Sequence, residues 1–188
     1  MRRKKTGTGL LLLIIALIAF VFILPGAYQR WRYPVRMEDE IRFHASRYNM
    51  PPELIAAFVA TESSYNPRAV SDKGARGLMQ IMPDTGGWIA GKLGEKSAYS
   101  PDLLFEAETS LRYGCWYVNF LLSRYDGCLI NTIAAYHAGQ GKVDEWLKNP
   151  EYSDDGRVLK AVPESSPATR NYVNKVKKAY DYYKEAYR

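Results

Sequence analysis

Fifteen consecutive residues, Leu10 to Leu24, carry neither a charge nor a polar side chain, and Arg2-Arg3-Lys4-Lys5 stand just before them. With its uncharged flanks the segment runs from Thr6 to Tyr28, 23 residues. As a helix rising ~1.5 Å per residue it would be about 35 Å long, enough to cross a hydrocarbon core of ~30 Å. Basic residues gather on the cytoplasmic side of such a span, which places the rest of the chain outside. Arg30, Arg32 and Arg36 on the far flank reduce that asymmetry. A secretory signal has an apolar core of the same length, but a cut after Ala27 would put Pro25 where a small residue is wanted. The expectation is an uncleaved anchor. It divides the chain into a cytoplasmic tail (1–9), a transmembrane helix (10–28), a juxtamembrane linker (29–37) and an exported domain (38–188).

Charge follows the same division. The chain has 188 residues and a net charge of +6, yet residues 1–36 hold seven of the 26 basic side chains and no acidic one. The remaining 19 basic and 20 acidic side chains leave the body near neutrality. It offers a phosphate backbone no large basic field, so nucleic acid is not an expected partner. With 47% hydrophobic residues, 14 Gly and 10 Pro, the body has the composition of one ordinary globular domain. Cys115 and Cys128 lie thirteen residues apart and His44 and His137 are the only histidines. No metal-ligand spacing results, and neither a metal nor an organic cofactor is expected. Export permits a disulfide; two free thiols fit the spacing equally.

The exported part reads as helices. Glu38 to Tyr48 is the first, with Ile41, Phe43 and Tyr48 as inward positions. Pro51-Pro52 open a second, which runs to about Ser63 and stops at Asn66-Pro67. Arg68 to Asp84 is rich in Gly, Ser and Asp and reads as a structured loop. Further helices are predicted at Thr85–Leu93, Phe105–Tyr125, Leu129–Ala138, Lys142–Lys148 and Thr169–Tyr187, with a loop over Asn149–Pro167. No alternating run long enough for a strand occurs. The predicted fold class is all-α, one helical domain after an N-terminal transmembrane helix, with room for a small β element in the loops.

In the second helix Leu54, Phe58 and Glu62 recur at i, i+4 and i+8, and Ile55 and Val59 widen the stripe. Glu62 thus continues a line that should face the core, at the helix's C-terminal end. Loss of water and the partial negative charge of that end both disfavour its ionised form. A carboxyl placed so holds its proton near neutrality, as a general acid must. Periodicity alone leaves open a Glu62 that reaches solvent or pairs with an Arg.

Glu62-Ser63, then Gly77-Leu78-Met79-Gln80-Ile81-Met82-Pro83, then Ala135-Tyr136-His137-Ala138-Gly139 occur in this order. Together they resemble the catalytic domain of the lytic transglycosylases, whose lysozyme-like fold is related to goose-type lysozyme. The resemblance covers about residues 38–187. It implies that Glu62 is the sole catalytic acid and base, that Gly77, Leu78, Met79 and Gln80 line the cleft, and that Gln80 and Met79 contact sugar. It points to Tyr136 as the tyrosine that hydrogen-bonds the catalytic Glu. Ser63, His137, Ala138 and Gly139 fall in the same motifs. Thr169-Arg170-Asn171-Tyr172-Val173 resembles the fourth, weaker motif, which adds Tyr172. Two positions depart from the pattern. His137 stands where the family usually has Asn, and an imidazole replaces only one of the amide's hydrogen bonds. Ala168 stands where a Glu usually precedes the Thr.

The resemblance implies peptidoglycan glycan strands as substrate, with the β-1,4 bond between N-acetylmuramic acid and N-acetylglucosamine cut to leave a 1,6-anhydro end. Two rival readings stay in view. A lysozyme-like hydrolase would need a second carboxylate, and Asp72, in the turn-like Ser71-Asp72-Lys73-Gly74, is the only one near the Gly-Leu-Met-Gln motif. A non-catalytic wall-binding protein would account for His137 and Ala168. Short motifs also have structural readings: Gly77 as a turn, Met79 as core filler, Tyr136 as packing. Tyr172, Tyr180, Tyr183 and Tyr187 on the last helix read mainly as packing.

Overall fold

A computed structural model describes residues 6–188, and every regular element in them is helical. The tetrad Arg2-Arg3-Lys4-Lys5, on which the expected cytoplasmic tail rests, lies outside the described residues. The chain forms two units that part between Val35 and Arg36. The first contains α1 (Thr6–Ile18), a widened π turn (Ala19–Ile23) and α2 (Leu24–Arg32). The widened turn comes just ahead of Pro25, which has no backbone N–H to donate. From Leu11 to Arg32 this is one helix, long and apolar enough to cross a membrane, and it runs four residues past the predicted end. Leu12, Leu13, Leu17 and Phe20 are each more than 60% exposed, an apolar surface that water would not leave uncovered.

The second unit holds α3 (Glu38–Ser46), α4 (Pro52–Glu62), α5 (Pro83–Lys92), α6 (Ala107–Arg124), α7 (Leu129–Ala138), α8 (Gln140–Leu147) and α9 (Pro167–Ala186). Proline at the first position of α4, α5 and α9 starts each helix where a missing N–H costs nothing. α6 begins two residues later than predicted because Pro101–Phe105 form a separate 3-10 turn. The small β element is reduced to isolated bridges, Val70 with Arg76 and Arg76 with Ile81.

α4 is the centre of this unit. Leu54 to Ala60 are buried without a break, so the helix is apolar all round, as a core helix is. α9 and α3 pack against it, and α7 lies against α9. Ala56, Ala57 and Ala60 present no bulk to these neighbours, while Ile55 and Phe58 fill the space between them.

α3 corrects one expectation. Its buried residues are Ile41, His44 and Ala45, a face at i, i+3 and i+4, whereas Phe43 is 57% exposed on the other side. The expected inward position of Phe43 is taken by His44, one residue on. His44 is tolerated in the interior because its Nε2 lies 2.9 Å from Glu108 Oε2. Tyr48, beyond the helix end, is half-buried. Cys115 in α6 is buried, Cys128 at the start of α7 is half-buried, and neither is in a disulfide. Burial pushes the Cys115 thiol up, well clear of reactive thiolate chemistry.

Candidate functional site

The last residue of α4 is Glu62, and the chain leaves it through Ser63, then Ser64 and Tyr65 in left-handed conformations. The carboxyl therefore sits at the C-terminal end of the core helix, where the chain first reaches open space. A cavity of about 420 Å³ begins there, lined by Glu62, Gln80, Tyr136 and His137, with Ser71, Asp72 and Lys73 on the loop side. A second hollow of about 240 Å³ shares Gln80, Met82, Tyr136 and His137 and continues past Thr85, Tyr117, Ala138 and Gly139. The shared lining makes the two hollows one groove.

Three helices supply the surroundings of the carboxyl. Tyr172 of α9 donates its hydroxyl to Glu62 Oε1. His137 of α7 stacks on the Tyr172 ring with centroids 4.6 Å apart and planes 29° apart. Phe58, one turn back on α4, packs against Tyr136 at 4.7 Å. Apolar rings thus exclude water from the carboxyl, and burial pushes its pKa up to about 7 against the opposing effect of the Tyr172 hydrogen bond. No cation is paired with it among the described residues, so Glu62 is not the Arg-paired carboxylate that periodicity had left open; it is half-buried at the wall of the groove. At neutral pH it exists in both forms, one able to give a proton and one able to take it.

The loop before α5 forms the other wall and is held from behind. Gly77 has φ of +75° and lies against the Leu104 carbonyl. The Met79 N–H donates to Ser110 Oγ of α6 at 3.1 Å. The Met79 carbonyl accepts the Tyr136 hydroxyl at 2.7 Å. Gln80 follows with φ of +46°, its Nε2 donating to the carbonyls of Ala69 at 3.1 Å and Gly77 at 3.0 Å. These bonds fix the loop to α7 and set the Gln80 side chain into the groove.

The structure therefore sorts the residues singled out by sequence. Glu62, Gln80, Tyr136, His137, Ala138 and Gly139 meet at the groove. Tyr172 joins them from beneath. The tyrosine bonded to Glu62 is Tyr172 and not Tyr136, whose hydroxyl is taken by the Met79 carbonyl. Leu78 and Met79 are fully buried, so the expected sugar contact of the Met79 side chain is not available. It packs instead against Gly114 of α6. Ser63 turns its hydroxyl back to the Val59 carbonyl within its own helix, and Gly77 serves the turn. Lys73, Met82, Thr85 and Tyr117 line the groove without having been anticipated. Met82 lies within the Gly77–Pro83 motif and Thr85 two residues beyond it; Lys73 and Tyr117 carry no local signal. His137 bonds Thr169 Oγ1 through Nδ1 at 3.0 Å. Burial and then the nearby Lys73 cation hold its pKa below the usual value, so it is a neutral imidazole near pH 7 with Nε2 left for a ligand.

A family model described as the transglycosylase SLT domain matches residues 39–158, more than half of the chain. The chain belongs to this family. Among curated members, the soluble lytic murein transglycosylase of Escherichia coli K12 is 33% identical over 153 residues, covering 81% of this chain and 23% of that protein. The transglycosylase of Enterobacteria phage PRD1 is 34% identical over 139 residues, covering 74% and 45%. Membrane-bound lytic murein transglycosylase C of Yersinia pestis is 38% identical over 111 residues, covering 55% and 31%. The crystal structure of the 70 kDa soluble lytic transglycosylase from E. coli superimposes with a TM-score of 0.73 at 29% identity, over 84% of this chain and 25% of that one. Structures of a complex of the 70 kDa soluble lytic transglycosylase with bulgecin A and of an inactive Glu-to-Gln mutant of lytic transglycosylase Slt from Pseudomonas aeruginosa align similarly, with TM-scores of 0.72 and 0.70. This SLT-domain chain spans about a quarter of the length of the soluble relatives it matches.

Proposed function

We propose that the chain is a membrane-anchored peptidoglycan lytic transglycosylase, single-pass, with its catalytic domain on the extracytoplasmic side. The observation that carries the proposal is Glu62, a carboxyl at the groove whose pKa of about 7 suits both donation and acceptance of a proton. The membrane-bound relatives and the apolar helix Leu11–Arg32 support the anchor.

In the proposed reaction Glu62 protonates the glycosidic oxygen between N-acetylmuramic acid and N-acetylglucosamine. The C1–O bond breaks and N-acetylglucosamine leaves with a free 4-hydroxyl. The substrate's own N-acetyl group stabilises the cationic centre. Glu62, now ionised, takes the proton of the muramoyl 6-hydroxyl as that oxygen closes on C1. The carboxyl returns to its starting form, water is not consumed, and the product ends in a 1,6-anhydro sugar. Gln80, His137 and the backbone around Ala138 and Gly139 hold the strand. Tyr136 positions Gln80 through the Met79 carbonyl. Because Asp72 lines the same cavity, a hydrolase in which Asp72 orients water is the second reading. Digestion of purified peptidoglycan by the full chain, with products read by mass spectrometry, separates the two: anhydro-muramoyl ends are expected, and reducing ends would replace this reading by the hydrolase.

Tyr172→Phe gives a separate check on the electrostatics. The lost hydrogen bond favours the ionised carboxyl, so its removal raises the Glu62 pKa. The alkaline limb of the pH–rate profile is then expected to move upward by about one pH unit. A limb that stays in place or moves down would show that Tyr172 does not hold the carboxylate.

A further inference from the structure

Beyond the second hollow the protein surface is aromatic. Trp88 projects from α5 and is 36% exposed. Trp116, Tyr117 and Phe120 lie half-buried on the facing side of α6. The Trp116 and Phe120 rings are 5.5 Å apart and nearly parallel, at 7°. Phe120 and Tyr117 are 6.3 Å apart at 10°. Trp88 meets Trp116 and Phe120 edge-on at 5.3 and 5.2 Å, and Lys92 Nζ lies 5.9 Å from the centre of its ring. A soluble domain usually buries such residues in its core; here four share one face, between two helices whose own core contacts are made on the other side.

This face is continuous with the groove. Tyr117 lines the second hollow and also packs on Tyr136 at 5.3 Å. Thr85, another lining residue, is three positions before Trp88 on α5 and so lies on the same side of that helix. A ligand leaving the groove past Thr85 and Tyr117 runs directly onto Trp88 and Phe120. A pyranose ring has one face made of C–H groups, and flat aromatic rings cover it without needing its hydroxyls to lose their water.

We propose that Trp88, Trp116, Tyr117 and Phe120 form a stacking platform for sugar units of a glycan strand that lie beyond those held in the groove. The proposal rests on reading the groove as a glycan site, and it adds a distal contact that gives longer strands an advantage over short ones. The platform contributes binding and takes no part in bond cleavage.

The test uses the full chain in detergent micelles, with Glu62→Gln throughout so that strands persist. Binding is measured for purified long glycan strands and for the tetrasaccharide of two N-acetylglucosaminyl-N-acetylmuramic acid units. Trp88→Ala is expected to weaken binding of long strands by about five- to ten-fold and to leave the tetrasaccharide within two-fold. Trp88→Phe is expected to restore most of the loss, and Phe120→Ala to reproduce it should Trp88→Ala not fold. Unchanged affinity for long strands, or an equal loss for both ligands, overturns the platform. So does quenching by brominated phospholipid vesicles that disappears with Trp88→Ala while strands have no effect, since the face would then lie against lipid. The two readings fail separately. A chain with Glu62 intact that yields no anhydro ends removes the proposed reaction, while a Trp88-dependent loss on long strands still upholds the platform.

Discussion

Glu62→Gln is expected to lower turnover by at least about 10³-fold and, above neutral pH, to make the protein more stable. The two effects share one cause. Glutamine keeps the shape and the hydrogen bond to Tyr172 but can neither give nor take a proton. The carboxyl has a pKa of about 7 in the fold against 4.5 when free. Between these values the folded protein keeps a proton that the unfolded chain releases, so stability falls as pH rises through that window. Above it the ionised, buried carboxylate costs on the order of 3 kcal/mol. The neutral amide carries no such penalty, and urea unfolding at pH 5 and pH 8 is expected to show a loss in the wild type that is absent from the mutant. A mutant that kept a tenth of the activity would remove Glu62 from the mechanism. Parallel stability curves would show instead that its carboxyl titrates as if exposed.

The second large effect concerns a residue with no side chain. A Cβ added at Gly77 would lie 1.8 Å from the Leu104 carbonyl oxygen, at a φ of +75°. That neighbour is backbone and cannot rotate away, so the loop or the Pro101–Phe105 turn must move. Gly77→Ala is expected to destabilise the protein by at least about 3 kcal/mol. Gly74, three residues earlier, has a similar φ of +84° but nothing within 4 Å. Gly74→Ala should therefore cost only the left-handed strain, about 1–2 kcal/mol. Denaturant unfolding of the two mutants side by side separates steric clash from backbone strain; equal costs would mean that the approach of Gly77 to Leu104 is not tight. Because Gly77 also anchors Gln80 through its carbonyl, the surviving Gly77→Ala protein is expected to bind strands poorly as well.

What sequence could foretell follows from the range of the forces involved. The start of α4 was legible because Pro52 acts on its immediate neighbours, whereas α5 and α9 begin at Pro83 and Pro167, two residues ahead of the expected Thr85 and Thr169. The place of Glu62 at the end of the apolar stripe was legible because it depends only on helix geometry within α4; whether it met solvent or an Arg was not. Nor was its partner. Tyr172 lies 110 residues away, and whether it or Tyr136 meets the carboxyl depends on how α9 lies on α4, which no local pattern encodes. The Gly-Leu-Met-Gln motif marked the right loop but not its orientation: Gln80 turns into the groove and Met79 into the core because Ser110 and Tyr136 grip the Met79 peptide from either side. Phe43 was misplaced for a related reason, since hydrophobicity favoured the ring while the partner that admits His44, Glu108, comes from another helix. Trp116, Tyr117 and Phe120 drew no notice in the sequence, because their significance depends on Trp88, which joins them only through the way α5 meets α6.

Gln80 imposes a rule on whatever docks beside it. A primary amide has two N–H donors and one carbonyl oxygen. Both donors are spent on Ala69 and Gly77, and rotating the amide by half a turn would set its oxygen against those two carbonyls. In this groove Gln80 is thus an acceptor only. It can greet a hydroxyl or the N–H of an acetamido group, and it turns its negative end toward a carbonyl or a carboxylate. The polarity of one side chain, set by two backbone oxygens behind it, thereby dictates which edge of a sugar can face this wall.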